Sequence, residues 1–138
     1  METRRVGWLL LARQNAEPPS DDEWARFLVL LGEARPHFEQ VKILVLTEGG
    51  GPSSAQRESL AKTLAGKPVR VAVVTNNVKV RFVAAMVALF HKEMRCFSRE
   101  EYRLACSHVG MTADEASTAQ RILAEMGERI ALMGATRS

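Results

Sequence analysis

The sequence has few of the features that mark a secreted or a membrane-spanning protein. Its two cysteines, Cys96 and Cys106, do not provide a disulfide framework and fit a reduced, cytoplasmic protein. No apolar run approaches the ~18 residues of a membrane-spanning helix. The apolar stretch after Arg4 and Arg5 is short and lacks a small-residue cleavage site, unlike a signal peptide. We therefore expect a cytoplasmic protein with no membrane span.

Concentrated charge and metal-ligand clusters are also missing. The net charge is only +3 over 138 residues, and the basic residues are not gathered into one stretch, so we expect no nucleic-acid partner. His37, His91 and His108 are far apart, and none has a Cys, Asp or second His at ligand spacing. We expect no metal and no cofactor.

The motifs of common nucleotide-binding and catalytic sites are absent as well. The segment GGGPSSA (residues 49–55) does not match G-x-G-x-x-G, and no Walker lysine follows it. The predicted strand ends RQN and TEG lack the acidic pair and the acceptor aspartate of a response regulator. No nucleophile with an adjacent base emerges. We therefore expect that the protein is not an enzyme.

The sequence does contain a regular alternation of strands and helices. Four short runs rich in apolar residues are predicted strands: Val6–Arg13, Val41–Thr47, Val69–Val74 and Met94–Phe97. Helices are predicted between and after them, at 20–35, 53–65, 78–91, 98–110 and 112–133. Four capping boxes open helices: SDDE at Ser20, SSAQ at Ser53, SREE at Ser98 and TADE at Thr112. This order predicts an α/β fold with a mainly parallel four-stranded sheet and an extra C-terminal helix.

Three segments carry a family resemblance: PPSDDEWARFLVLL, RVAVVTNNVKVRFVAAMVALF and MRCFSREEYRLACSHVG. Together they make the stretch Val6–Gly110 similar to the SpoIIAA-like branch of the STAS domains. The resemblance implies a domain at residues 1–110 whose first strand is central, between the second and the third. The family's further N-terminal strand is expected to be absent or shortened at Met1–Arg5. Residues 111–138 would form a helical extension, packed on the same domain or on a partner.

The resemblance also implies a function. Family members are mostly non-enzymatic, and the antagonist members bind a kinase or anti-sigma factor and are switched by phosphorylation of a serine at a helix N-terminus. Ser53 and Ser54 are therefore phosphoacceptor candidates, although Ser53 also fits a simple helix cap. We expect a regulatory or scaffold module that binds a protein partner. The alternative is a small-molecule or lipid-binding domain with an apolar pocket between sheet and helices.

Two loops at predicted strand ends are binding candidates. Gly49, Gly50 and Gly51 lie where open α/β sheets place ligands, and glycines let a ligand approach the backbone closely. A second cluster follows the third predicted strand and combines amide and basic side chains: Asn76, Asn77, Lys79 and Arg81. It could bind an anion or an acidic partner, or it could be an N-cap followed by a solvated basic face.

The C-terminal helix carries a narrow apolar seam. Its members recur at spacings of three and four: Ala116, Ala119, Leu123, Met126, Ile130 and Met133. Such a stripe must be covered. Either it docks on the chain's own domain, or Ala119, Leu123, Met126 and Ile130 form an interface with a second copy or with a partner helix.

Overall fold

The computed structural model describes residues 1–80 and 93–136, with side chains up to residue 127 in the second range. Most of the predicted helix 78–91 lies outside the described residues, as do Arg81 and the side chain of Ile130. Within the described chain, five strands form one sheet in the order β1-β2-β3-β4-β5. They are β1 (Glu2–Val6), β2 (Leu9–Gln14), β3 (Lys42–Thr47), β4 (Arg70–Val74) and β5 (Met94–Phe97). β2 to β5 are parallel, and β1 is antiparallel to β2.

The first predicted strand, Val6–Arg13, is wrong as a single element. Val6 pairs with Leu9 across a tight hairpin, and Glu2–Val6 forms a strand of its own. Gly7 has a φ of +58°, a conformation that glycine adopts at little steric cost and that two-residue hairpin loops require. The N-terminal strand expected to be absent or shortened is therefore present.

The expected strand order is also wrong. β2 was predicted to lie between the second and third predicted strands, but β3 occupies the central position, with β2 and β4 on its two sides. A strand has only two edges. One edge of β2 is taken by the hairpin partner β1 and the other by β3, so β4 can pair only beyond β3.

Helices cover both faces of the sheet. The described α-helices are α1 (Asp21–Glu33), α2 (Ser54–Leu64), α3 (Tyr102–Val109) and α4 (Ala113–Thr136), with short 3-10 turns at Arg35–Gln40 and Arg99–Glu101. On one face, α1 and α2 pack over Leu10 and Ile43; on the other, α3 and α4 pack over Leu11 and Leu44. Successive strand residues point to opposite faces, so neighbouring leucines serve separate cores.

The seam of α4 is buried inside its own domain. Ala119, Leu123 and Met126 are at most 2% exposed and join Leu11 and Leu44 in one core cluster. Ile122 packs in the same cluster. The prediction that Ala119, Leu123 and Met126 form an intermolecular interface is therefore wrong, because the sheet already covers these side chains.

Candidate functional site

The parallel strands bring four connections to one end of the sheet. We call this end the carboxyl edge and define it by residues 15–19 after β2, 48–53 after β3, 75–77 after β4 and 98–99 after β5. In open α/β sheets, ligands bind outside the carboxyl ends of the strands. Both loops that the sequence singled out lie here, within contact of one another: Asn77 Nδ2 donates to the Glu48 carbonyl at 3.5 Å.

The glycine loop is shaped by contacts within the chain. Thr47 is buried, and its hydroxyl donates to the Gly50 carbonyl at 2.7 Å and accepts from the Gly49 amide at 3.1 Å. Gly50 N donates to the Asn15 carbonyl at 2.9 Å. Gly50 is buried and Gly51 is exposed. The loop after β2 covers Gly50, whose amide and carbonyl are both hydrogen-bonded within the chain, whereas Gly51 faces solvent.

The second candidate loop joins neighbouring segments. Asn77 Oδ1 accepts from the Val80 amide at 3.2 Å, as an N-cap does, and Asn76 Oδ1 accepts from the Arg99 amide at 2.9 Å. Lys79 is exposed. The two asparagines thus fix the loop after β4 to its surroundings, while Lys79 is available to a partner.

The two candidate phosphoacceptors lie exposed at the start of α2. Ser53 Oγ accepts from the Gln56 amide at 3.2 Å, and Gln56 Oε1 accepts from the Ser53 amide at 3.0 Å. Ser54 Oγ accepts from Arg57 Nη2 at 3.1 Å. Ser53 therefore caps the helix, and both hydroxyl groups remain at the surface.

Sequence reasoning missed a charged cluster at the same edge. Arg13 Nη2 and Arg99 Nη2 lie 3.6 and 3.7 Å from the same carboxylate oxygen, Glu48 Oε1. Burial, and next the neighbouring Arg99 guanidinium, lower the pKa of Arg13, whereas Glu48 acts to raise it. All three residues lie at the carboxyl end of a strand or just beyond it, which was the available signal. The pairing itself depends on strand order.

A cleft of about 610 Å³ lies at the opposite end of the sheet. The β1–β2 hairpin supplies apolar lining through Val6, Trp8 and Leu9. The charged lining is mixed, with two basic side chains, Lys42 and Arg70, and three acidic ones, Glu39, Asp114 and Glu115. The Lys42 ammonium donates to Glu115 Oε1 at 2.9 Å, also in the cleft lining. This cleft is at the amino ends of the parallel strands, away from both candidate loops.

Other reactive features are sparse in the described chain. Within residues 1–80 and the described part after 92, no three His, Cys, Asp or Glu side chains are grouped as a metal site would need. No helix in those ranges is long and apolar enough to cross a membrane. Cys106 is buried, and burial raises the pKa of its thiol, which disfavours the reactive thiolate.

The comparison with known proteins gives a likeness of fold. No family model and no curated protein sequence matches this chain. Among solved structures, it is similar to an uncharacterized protein from the DUF3478 family with a SpoIIAA-like fold from Shewanella loihica PV-4. The TM-score is 0.52 and the sequence identity 12%, over 78% of this chain and 90% of the other. At so low a sequence identity, the likeness shows a shared architecture and carries no information about activity. The chain therefore has a SpoIIAA-like α/β fold, as its sequence motifs predict.

Proposed function

We propose that this protein is a non-enzymatic, cytoplasmic regulatory or scaffold module that binds a protein partner through the carboxyl edge. The partner would be a kinase, an anti-sigma-type protein, a scaffold protein or a second copy of the chain. The SpoIIAA-like fold supports a STAS-type role, and the carboxyl edge offers side chains suited to contact.

One observation carries the proposal. Val78 follows the loop after β4 and is 78% exposed, the most exposed of the large apolar side chains in the described part of the chain. Lys79 beside it is exposed, as are Gly51 and Ser53 on the neighbouring loop. Protein interfaces combine an apolar centre with a polar rim, and Val78 with these neighbours offers both. We therefore place Val78 in the partner contact.

We further propose that phosphorylation of Ser53 or Ser54 switches this contact. A phosphate at a helix N-terminus is favoured by the helix dipole and by free backbone amides. It would add nearly two negative charges, and Arg57 lies within reach of Ser54. The helix would tolerate the group, while the surface that the partner contacts would gain negative charge.

A matched pair of variants tests the partner surface. Val78 and Val29 are both exposed, at 78% and 61%, and Val29 lies on α1. Affinity capture from the source lysate should recover the same partner with wild type and with Val29→Glu, and lose it with Val78→Glu. Purified partner should then show the same difference in calorimetry. A partner that binds Val78→Glu as tightly as wild type would contradict the proposal.

The cleft at the amino ends of the strands favours the second candidate function, binding of a small amphipathic molecule. Its apolar side would contact Val6 and Trp8, and its anionic group would approach Arg70. Octanoate is a suitable probe. It should change tryptophan fluorescence in wild type, and the change should disappear in Trp8→Phe and weaken in Arg70→Gln. A fluorescence change that persists in Trp8→Phe would exclude this cleft.

A further inference from the structure

The cluster of Arg13, Glu48 and Arg99 has more donors than it uses. Two guanidinium groups lie near one carboxylate oxygen, and neither approaches within hydrogen-bond distance, at 3.6 and 3.7 Å. Each guanidinium carries five N–H donors in a planar fork that matches phosphate oxygens. One carboxylate neutralises only one of the two positive charges.

Contacts with α4 hold the Arg13 side chain in place. Its side chain is 16% exposed, and its Nη1 donates to the Leu123 carbonyl of α4 at 3.3 Å. The guanidinium packs against Gly127. A Cβ added to Gly127 would lie 2.5 Å from Arg13 Cζ. Arg13 is thus a fixed cation beside α4, with its Nη2 directed at Glu48.

The side chains of Glu48 and Arg99, the other two residues of the cluster, are free to change conformation. The side chains of Glu48 and Arg99 are 51% and 43% exposed, so the carboxylate can rotate into water at little cost. Ion pairs of this exposure are weak. Arg99 is anchored through its backbone, whose amide donates to Asn76.

From this geometry we propose that Arg13 and Arg99 bind a phosphate group, which takes the position of the Glu48 carboxylate between them. The phosphate oxygens accept hydrogen bonds from both guanidinium groups, and Glu48 turns outward. Glu48 is therefore an internal competitor of the ligand. The inference depends on this cluster and not on the proposed partner contact at Val78, so either can fail alone.

The test is the affinity for inorganic phosphate, measured by amide NMR titration at constant ionic strength set with sodium chloride. Arg99→Gln should weaken binding by about tenfold, because charge-assisted bonds to phosphate are lost. Glu48→Gln should strengthen binding, because the competing carboxylate charge is gone. Arg95→Gln removes an exposed arginine from β5 and is the matched control. It should leave the affinity unchanged, and the amides of Glu48 and Arg99 should show the largest shifts.

Two outcomes would overturn the site: equal phosphate affinity in wild type, Arg99→Gln and Arg95→Gln, or no gain of affinity in Glu48→Gln. A phosphoserine peptide and adenosine monophosphate, titrated against the same variants, distinguish the two sources of a phosphate group. Tighter binding of the phosphopeptide than of its unphosphorylated form assigns a modified protein. Binding of adenosine monophosphate that is tighter than binding of the phosphopeptide assigns a free phosphate ester as the ligand. Either result, lost in Arg99→Gln, supports the site.

Discussion

At the scale of single residues, the carboxyl edge depends on close backbone approaches that only particular residue types allow. A Cβ added at Gly50 would lie 1.9 Å from the Glu17 carbonyl oxygen and 2.6 Å from its carbon. These are backbone atoms and cannot move aside as the end of a flexible side chain could. Nothing lies within 4 Å of a Cβ added at the neighbouring Gly51.

Gly50→Ala should therefore destabilise the fold, by about 2–3 kcal/mol in the free energy of unfolding, since overpacking forces the backbone to shift. Gly51→Ala is the matched control and should change that free energy by less than about 0.5 kcal/mol, as most surface substitutions do. Urea denaturation of the two variants measures both. Equal stability of the two would contradict the described packing of the loop.

Glu115 predicts a pH dependence at the residue scale. The Thr112 amide, and next the Lys42 ammonium, hold the pKa of Glu115 below its usual range in the folded state. A carboxyl group with a lowered folded pKa stabilises the fold fully above its unfolded pKa. That contribution declines as the pH falls below the unfolded value and is gone below the folded one.

Glu115→Gln should therefore flatten part of the loss of stability between neutral and acidic pH. Ser117→Ala, on the same helix and exposed, removes no titratable group and should leave the slope as in wild type. The free energy of unfolding, followed by urea denaturation at stepped pH values, decides between them. Identical slopes for wild type and Glu115→Gln would show that the pairing with Thr112 and Lys42 does not stabilise the fold.

At the scale of elements, the helix starts follow local chemistry. All four predicted capping boxes are formed, at Ser20, Ser53, Ser98 and Thr112. At α2, the capping partner Gln56 is itself buried and donates to the Pro19 carbonyl at 3.0 Å. The cap of α2 is thereby connected to the segment that precedes α1.

Ser53→Ala should reduce the free energy of unfolding by about 1 kcal/mol, the usual effect of losing an N-cap. Ser53→Asp should retain most of that stability, because aspartate also accepts from the backbone amides, and Ser54→Ala should have little effect. If the switch proposal holds, Ser53→Asp or Ser54→Asp will nevertheless change partner affinity. Denaturation and calorimetry on the same samples separate the two effects. Unchanged binding in both aspartate variants would eliminate the switch.

Elements were predicted better than their arrangement. Met94–Phe97 is predicted to the residue, and α1, α2 and α4 begin within a residue or two of their predicted starts, because caps and apolar periodicity are local signals. The Val6–Arg13 run concealed a hairpin whose signal was Gly7 at the first position of a two-residue loop. The strand order, and with it the proximity of Arg13, Glu48 and Arg99, depends on which strand edges pair with each other. That pairing cannot be predicted from the sequence of any single segment.

At the scale of the whole molecule, α4 completes the second core. Met126 is fully buried, and Leu123 is 2% exposed in the same cluster as Leu11 and Leu44. A chain ending at Gly110 would expose that face of the sheet. The helix is therefore part of the folding unit, whatever else it contacts.

The shortened chain should lose cooperative unfolding or unfold at a markedly lower urea concentration. In the full chain, Met126→Ala should reduce the free energy of unfolding by about 2–5 kcal/mol, whereas Gln120→Ala on the exposed side of α4 should not reduce it. Urea denaturation followed by circular dichroism measures the stability of the shortened chain and of the two variants. A shortened chain as stable as the full one would contradict the packing of α4.

The most direct test of the account is a hydrogen-exchange footprint of the full chain with and without its captured partner. Partner binding through the carboxyl edge should slow amide exchange at residues 48–54 and 76–80. Residues 39–42, at the amino edge, should exchange as in the free protein. Protection confined to residues 39–42 and the β1–β2 hairpin, with no change at 48–54 and 76–80, would contradict the account.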